Sequence, residues 1–331
     1  MNHYQSALEN KDCLITGGLG FIGSNLARRL AQLGARVTLV DSLIPEYGGN
    51  LFNITGIEDR VRVNIADVRD EYSMDYLVQG RDYLFNLAGQ TSHLDSMQNP
   101  YEDLDINCRA QLSILEACRK QNPRVKVVYA STRQIYGKPD YLPVDERHLL
   151  HPTDVNGINK MAGEWYHILY NNVYGVRAVS LRLTNTYGPR MRVKDSRQTF
   201  LGIWIKKLIE GEPIEIWGEG TQIRDFNYVD DVVEAMLISA TTDDVNGRIF
   251  NLGSDETINL CDLAALCVEA NCGGSYRVIP FPPDRRQIDI GDYYADYRLI
   301  RGKLGWQPRV TLREGLTRTL EYYRKYREHY W

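Results

Sequence analysis

The stretch Thr16-Gly17-Gly18-Leu19-Gly20-Phe21-Ile22-Gly23 constrains this chain more than any other. Before it, residues 12–16 form a short apolar run of strand length, and Ile22, Leu26, Leu30 and Leu33 recur at helical spacing up to a glycine stop at Gly34. The glycines therefore fall at a strand-to-helix turn. At this spacing Gly17, Gly20 and Gly23 let backbone approach a pyrophosphate without Cβ atoms, and they aim the free N–H groups of a helix start at it. Phe21 and Ile22 lie on the same turn and join the expected contacts. Taken alone, the glycines also suit an ordinary turn. Residues 37–41 narrow the choice, because they read as a second strand ending in Asp41, where a carboxylate accepts hydrogen bonds from adenosine ribose hydroxyls. An acid there repels a 2′-phosphate, so the expected cofactor is NAD rather than NADP.

The alternation continues. Residues 42–50 are a turn-rich loop expected to border the adenine. Residues 62–70 read as a third strand with an acidic tip, where Asp67 would meet the adenine amino group and Val68 its face. Capping of the next helix is the competing reading, and it fits Asp70 better than Asp67. A fourth strand over residues 82–89 ends in Leu87, Ala88 and Gly89, small enough at its tip for backbone to pass close to a cofactor. Residues 103–121 have helical period, with Asn107 near the start, and residues 125–132 form a fifth strand that delivers Ser131 and Thr132 at its carboxyl end. Ligands of open α/β sheets bind there. A long helix from about 156 to 173 and a sixth strand at 179–183 follow, so the expected fold class is α/β with a Rossmann doubly wound parallel sheet.

Composition excludes several alternatives. With 331 residues, 43% of them apolar, the chain can bury the core of one large or two medium domains. Its formal charge of -4 gives no electrostatic footprint for nucleic acid. The six cysteines include no C-x-x-C pair and read as reduced core thiols rather than a disulfide or metal framework. No apolar run is long enough to span a membrane and no leader is visible, so the expected location is the cytoplasm.

The glycine loop, Asp41, Asp67, Asn107, Ser131-Thr132 before Tyr136-Gly137, Lys160, and Asn185-Thr186-Tyr187-Gly188-Pro189-Arg190 together resemble the extended short-chain dehydrogenase/reductases, specifically nucleotide-sugar epimerases and dehydratases. The resemblance continues through residues 216–231, Asn251-Leu252-Gly253, Ala295-Asp296 and residues 304–308, and so covers nearly the whole chain. It implies an NAD-binding part over residues 1–184, an element near 224–252 that returns to it, and a smaller nucleotide-sugar part over 185–331. By similarity, Asn107 and Pro189 contact the cofactor, and Asn185 contacts the substrate phosphates. Trp217 packs on the nucleotide base or is plain core. Arg224 grips the pyrophosphate, since a guanidinium fork matches phosphate oxygens. Arg285 or Arg286 supplies a second clamp. The nucleotide stays open among UDP, dTDP, GDP and CDP, and no metal is implied.

The family's chemistry is a transient oxidation of a sugar carbon, usually C4, by NAD. It normally uses a Thr or Ser, a Tyr and a Lys, the Lys holding the nicotinamide ribose and lowering the Tyr pKa. Thr132 and Lys160 match. Where the Tyr belongs stands Asn156, an amide with no useful proton affinity. The acidic pair of the 4,6-dehydratases is replaced by Arg133-Gln134, and the Glu of the decarboxylases by Gln134, so epimerisation is the least demanding expectation. A catalytically silent binder of NAD and nucleotide sugar is the alternative, and a nucleotide-sugar dehydratase or decarboxylase is a further one. His93 is the first substitute base, ahead of Tyr136 and His151, while Asn156 would position a substrate hydroxyl. Related proteins dimerise through a four-helix bundle, which here would use Leu112, Leu115, Ile168 and Leu169.

Overall fold

The structure is a computed structural model that describes residues 4–195, 199–286 and 288–331, without the side chains of residues 45, 284 and 285. Along the chain the strands are β1 (Asp12–Thr16), β2 (Arg36–Asp41), β3 (Val61–Ile65), β4 (Tyr83–Asn86), β5 (Lys126–Thr132) and β6 (Ala178–Leu183). Shorter strands follow: β7 (Asn185–Tyr187), β8 (Ile214–Trp217), β9 (Ile223–Tyr228), β10 (Ile249–Asn251), β11 (Thr257–Asn259) and β12 (Tyr276–Ile279). Seven of them make one sheet in the order β10-β6-β5-β4-β1-β2-β3, with every pair parallel. Chain order reverses at β1, between β4 and β2, which leaves a crevice at the carboxyl ends where such sheets bind ligands.

All six expected strands are present. The third ends at Ile65, earlier than expected, so Asp67 and Val68 lie on the loop beyond it. The helix expected over 103–121 is three pieces: Pro100–Leu104, a wide turn Asp105–Arg109, and Ala110–Gln121. Helix Val155–Tyr174 matches its expected range to within a residue or two, and Asp154 caps it by accepting from Gly157 N–H at 2.7 Å. Helix Val229–Thr241 leads into β10, which adds the seventh strand beside β6. Beyond the main sheet, β9 lies between β7 and β11, and β8 pairs with β12.

One buried cluster crosses both parts of the chain. It holds Leu26 and Leu30 of helix Phe21–Gln32, Val232 and Met236 of helix Val229–Thr241, and Leu316 and Leu320 of helix Leu312–Tyr326. The chain end closes back on the loop after β2, where Tyr330 Oη donates to Asn53 Oδ1 at 2.6 Å. All six cysteines are free, and burial pushes the thiols of Cys13 and Cys118 up to about 12. Among the described residues no helix is long and apolar enough to cross a membrane.

The expected dimer residues divide. Leu115 and Ile168 are buried in the chain's own interior and Leu112 packs beside that core, whereas Leu169 is half exposed. A helix packed on one flank buries the residues facing that flank, and the seven- and four-residue steps of Ile158, Trp165, Leu169 and Val173 mark the outward stripe instead.

Helix Val155–Tyr174 is fastened to β6 by a buried ion pair. Arg182 Nη2 lies 2.6 Å from Glu164 Oε1 and Nε lies 3.0 Å from Oε2, while Ser180 Oγ donates to the same carboxylate at 3.0 Å. Neither side chain is more than 2% exposed. Replacing Glu164 by Leu leaves a guanidinium buried without its partner and is expected to cost about 3–5 kcal/mol of stability in urea unfolding. Adding Arg182→Met should recover most of that loss; a Glu164→Leu protein as stable as wild type would contradict the pairing.

Candidate active site

A cavity of about 830 Å³ opens at the carboxyl ends of the main sheet and reaches β8 and β9. Its first end is built by the glycine turn. Gly17 has φ +66°, and a Cβ on Gly23 would sit 2.2 Å from Gly17 carbonyl oxygen, so only glycine lets the helix cross this closely. Gly20 precedes helix Phe21–Gln32 without a capping side chain, which leaves the helix's first N–H groups for an anion. Leu87, Ala88 and Gly89 line the opposite wall, with Leu87 and Ala88 N–H groups held by Thr16 Oγ1 at 3.0 and 3.1 Å. Asp41 stands at the end of β2, accepting from Leu19 N–H at 3.0 Å and Leu43 N–H at 2.9 Å. Burial lifts its carboxyl against these bonds. Ser42, Ile44 and Tyr47 of the loop after β2 also line the cavity.

Asp67 and Val68 also line the cavity. Asp67 pairs with Arg69 at 2.6 Å; burial opposes its charge, but the Arg69 contacts outweigh that and hold its carboxyl below the usual range. Asp70, off the cavity, caps helix Glu71–Leu77 through Tyr72 N–H. Two expected cofactor residues are displaced. Asn107 is fully buried behind the wall, giving its amide to Gln90 carbonyl and Asp103, and Pro189 is away from the cavity with its carbonyl accepting from Asn25. Apart from these two, the cradle, the uncapped helix start and Asp41 fit a dinucleotide.

Midway along the cavity Lys160 Nζ donates to Ala130 carbonyl at 2.6 Å and lies 4.4 Å from the Tyr129 ring centre. Burial pushes its ammonium down to about 8, against the pull of Asp103 and Glu164. Thr132 ends β5 and accepts from Gln134 N–H at 3.2 Å. Asn156 is on the wall, but its amide N–H groups turn inward to Gln90 carbonyl at 2.8 Å and Asp103 Oδ2 at 3.0 Å. Those N–H groups are engaged within the wall, where buried Asp103 also accepts from Asn107 and Asn159. Tyr136 is buried, bonded to Asn251 at 2.7 Å and Arg182 at 2.6 Å, and burial raises its phenol; it is no base. His151 is exposed and off the cavity.

His93 does line the cavity, and its Nδ1 lies 2.9 Å from Asp154 Oδ2 at an angle short of a good hydrogen bond. Gln134 Nε2 donates to the same oxygen at 3.0 Å. Asp154 was not singled out in the sequence. Nothing local marks it as the partner of a histidine far earlier in the chain.

The far end carries two arginines. Arg224, from β9, donates through Nη1 to the carbonyls of Ile223 and Gly291 and stands 3.8 Å from Asp289. Burial, and then the nearby charge of Arg133, push its guanidinium down to about 10. Arg133, which had no assigned role, reaches Asn185 Oδ1 at 3.2 Å and stacks on Tyr293, with Nη1 unpartnered. Asn185 in turn donates to Asp225 carbonyl at 2.9 Å. Trp217 meets Phe281 edge to face at 6.1 Å, both on the cavity wall. Arg286 is exposed and does not reach the cavity, and the Arg285 side chain lies outside the described residues.

Comparison with known proteins agrees with this geometry. The chain is 33% identical over 312 residues to a putative UDP-glucose 4-epimerase of Methanocaldococcus jannaschii, covering 93% of this chain and 97% of that one. It superposes with a TM-score of 0.86, at 31% identity and over 95% of this chain and 99% of the other, on a UDP-glucose 4-epimerase of Thermotoga maritima crystallised with UDP-glucose. A Thermus thermophilus UDP-glucose 4-epimerase in complex with NAD is similar with a TM-score of 0.84, at 28% identity and over 95% and 99% of the two chains. The sequence profile of the NAD-dependent epimerase/dehydratase family matches residues 13–253, and with the glycine cradle, Asp41 and Lys160 on one cavity, the chain belongs to that family of NAD-dependent enzymes.

Proposed function

We propose that the chain is a nucleotide-sugar epimerase that oxidises one sugar carbon, C4 in the simplest case, and reduces it again from the opposite face. The observation that carries this is continuity: the glycine cradle, Lys160 with Thr132, and Arg133, Asn185, Arg224 and Trp217 border one and the same cavity. NAD, when bound, takes up the carbon's hydrogen with its electron pair and returns it. Residues 1–184 and the returning strand would hold the dinucleotide, with Asp41 on the adenosine ribose. Lys160 would donate to the nicotinamide ribose, and Thr132 would hold the reacting hydroxyl. In the 185–331 part, the guanidinium groups would grip the diphosphate and Trp217 with Phe281 would flank the base. The Arg133-Gln134 pair supplies no acid for dehydration.

Incubation with UDP-, dTDP-, GDP- and CDP-sugars, read by NMR, should reveal an inverted stereocentre in one of them. Binding of NAD and a nucleotide sugar with every stereocentre unchanged would favour the silent binder. Asp41→Ala should weaken NAD binding about tenfold to a hundredfold by calorimetry, the worth of a charge-assisted contact, and narrow its margin over NADP. Equal NAD affinity in the variant would remove Asp41 from the ribose. Arg224→Ala should weaken the nucleotide sugar by a similar factor of about 10–100. An unchanged affinity would mean that the 185–331 part grips something else.

We also propose a homodimer, since Ile158, Trp165, Leu169 and Val173 leave an apolar stripe on one helix face. Free cysteines suit a reducing compartment such as the cytoplasm. The double substitution Trp165→Glu/Leu169→Glu should give monomers by light scattering while preserving the fold. Dimers of undiminished stability would place the interface elsewhere.

A further inference from the structure

Asp154 does more than a helix cap requires. An N-cap needs one side-chain oxygen on one N–H group, and Oδ1 meets that need at Gly157. Its second oxygen, on a side chain with no exposed surface, faces two cavity-lining side chains, His93 at 2.9 Å and Gln134 at 3.0 Å. A buried carboxylate that stays charged needs strong donors on both oxygens, and His93 is an ionisable group placed against Oδ2. Burial alone would raise the Asp154 carboxyl, yet His93, the Gly157 N–H and Gln134 hold it low, so it remains an anion beside the imidazole.

The other side of the ring is free for chemistry. With Nδ1 turned to Asp154, Nε2 lies across the ring on a side chain that is 38% exposed and borders the cavity. Three other groups beside the nicotinamide-side wall are unsuited to accept a proton. Asn156 has only an amide, Tyr136 is turned away into the interior, and Lys160 directs its nitrogen at Ala130 carbonyl. A chain of contacts links His93 to the reacting end: Asp154 holds Gln134 Nε2, Gln134 N–H holds Thr132 Oγ1, and the helix that Asp154 caps carries Lys160. The imperfect His93–Asp154 angle is ordinary for a site without substrate, where such bonds tighten on binding.

We propose that His93 accepts and returns the proton of the sugar hydroxyl, and that Asp154 is its positioning residue, the pair replacing the phenol missing at residue 156. This rests on the epimerase reading. As the carbon loses its hydrogen as hydride, the C–H electron pair leaving with it, the hydroxyl proton passes to His93 Nε2 and the O–H electron pair forms the second bond of the carbonyl. On the return, carbon regains hydrogen and electrons and the imidazolium gives the proton back to the oxygen. Asp154 stays a carboxylate throughout, fixing the tautomer with the proton on Nδ1 and stabilising the imidazolium.

The test uses the full chain with His93→Gln, His93→Ala, Asp154→Asn and the His93→Gln/Asp154→Asn double variant. Asn also caps helices well, so Asp154→Asn should keep the helix start. His93→Gln should lower kcat about 100-fold or more, with KM for the nucleotide sugar and bound NAD unchanged. The double variant should be no slower than His93→Gln alone, and added imidazole should restore turnover to His93→Ala. Independently of turnover, ¹⁵N NMR of the ligand-free protein should find the His93 proton on Nδ1 in wild type and redistributed in Asp154→Asn. Wild-type turnover with His93→Gln equally fast overturns the dyad and leaves the epimerase reading standing; so do multiplied losses in the double variant, or a tautomer that ignores Asp154→Asn. Wild-type protein that binds both ligands and alters no sugar overturns both.

Discussion

Buried carboxylates around a single helix govern this site. Helix Val155–Tyr174 starts on Asp154, is fastened to β6 by Glu164 with Arg182, and is met by Asp103, which accepts from Asn156 and Asn159. Each of these charges is out of water and depends on donors at fixed positions, so the rotation of the helix cannot drift without leaving one unsatisfied. Lys160 rides on that helix between Asn156 and Glu164. Both Asp103 and Glu164 favour its charged form, and their pull partly offsets the burial that lowers it to about 8. The ammonium is thus delivered to the cavity by interactions made elsewhere on its own helix.

The same network accounts for Asn156. A phenol at that position has one hydrogen to donate, whereas the amide supplies donors to both Gln90 and Asp103. Among the described residues, Asp103 has no arginine or lysine bonded to it and is held by three asparagines, Asn107, Asn156 and Asn159. In this chain residue 156 therefore supports a buried anion. On the proposed reading, the proton acceptor of the site comes from another element.

Much of the cofactor end was legible because it is local. Gly17, Gly20 and Gly23 are set by a turn whose demands on backbone are written within eight residues, and Asp41 by the end of the next strand. Side-chain direction was not legible in the same way. Asn107 and Pro189 occupy the expected positions along the chain, yet one is folded behind the wall and the other faces Asn25. Partnerships between distant segments were least visible: His93 stood out as a histidine after the fourth strand, but its carboxylate comes from the start of a helix after the fifth. Helical period located the outer face only in part, since Leu115 and Leu169 look alike in a sequence and differ in which flank is covered.

The account stands or falls on transient oxidation within one cavity. The most direct measurement mixes NAD-loaded protein with a nucleotide sugar in a stopped-flow instrument and follows the absorbance of reduced nicotinamide within one turnover. Absorbance that rises and then decays, while the sugar epimer forms, is the result this account predicts. Inverted sugar with no reduced nicotinamide at any time, or none of either with every nucleotide sugar that binds, would contradict it.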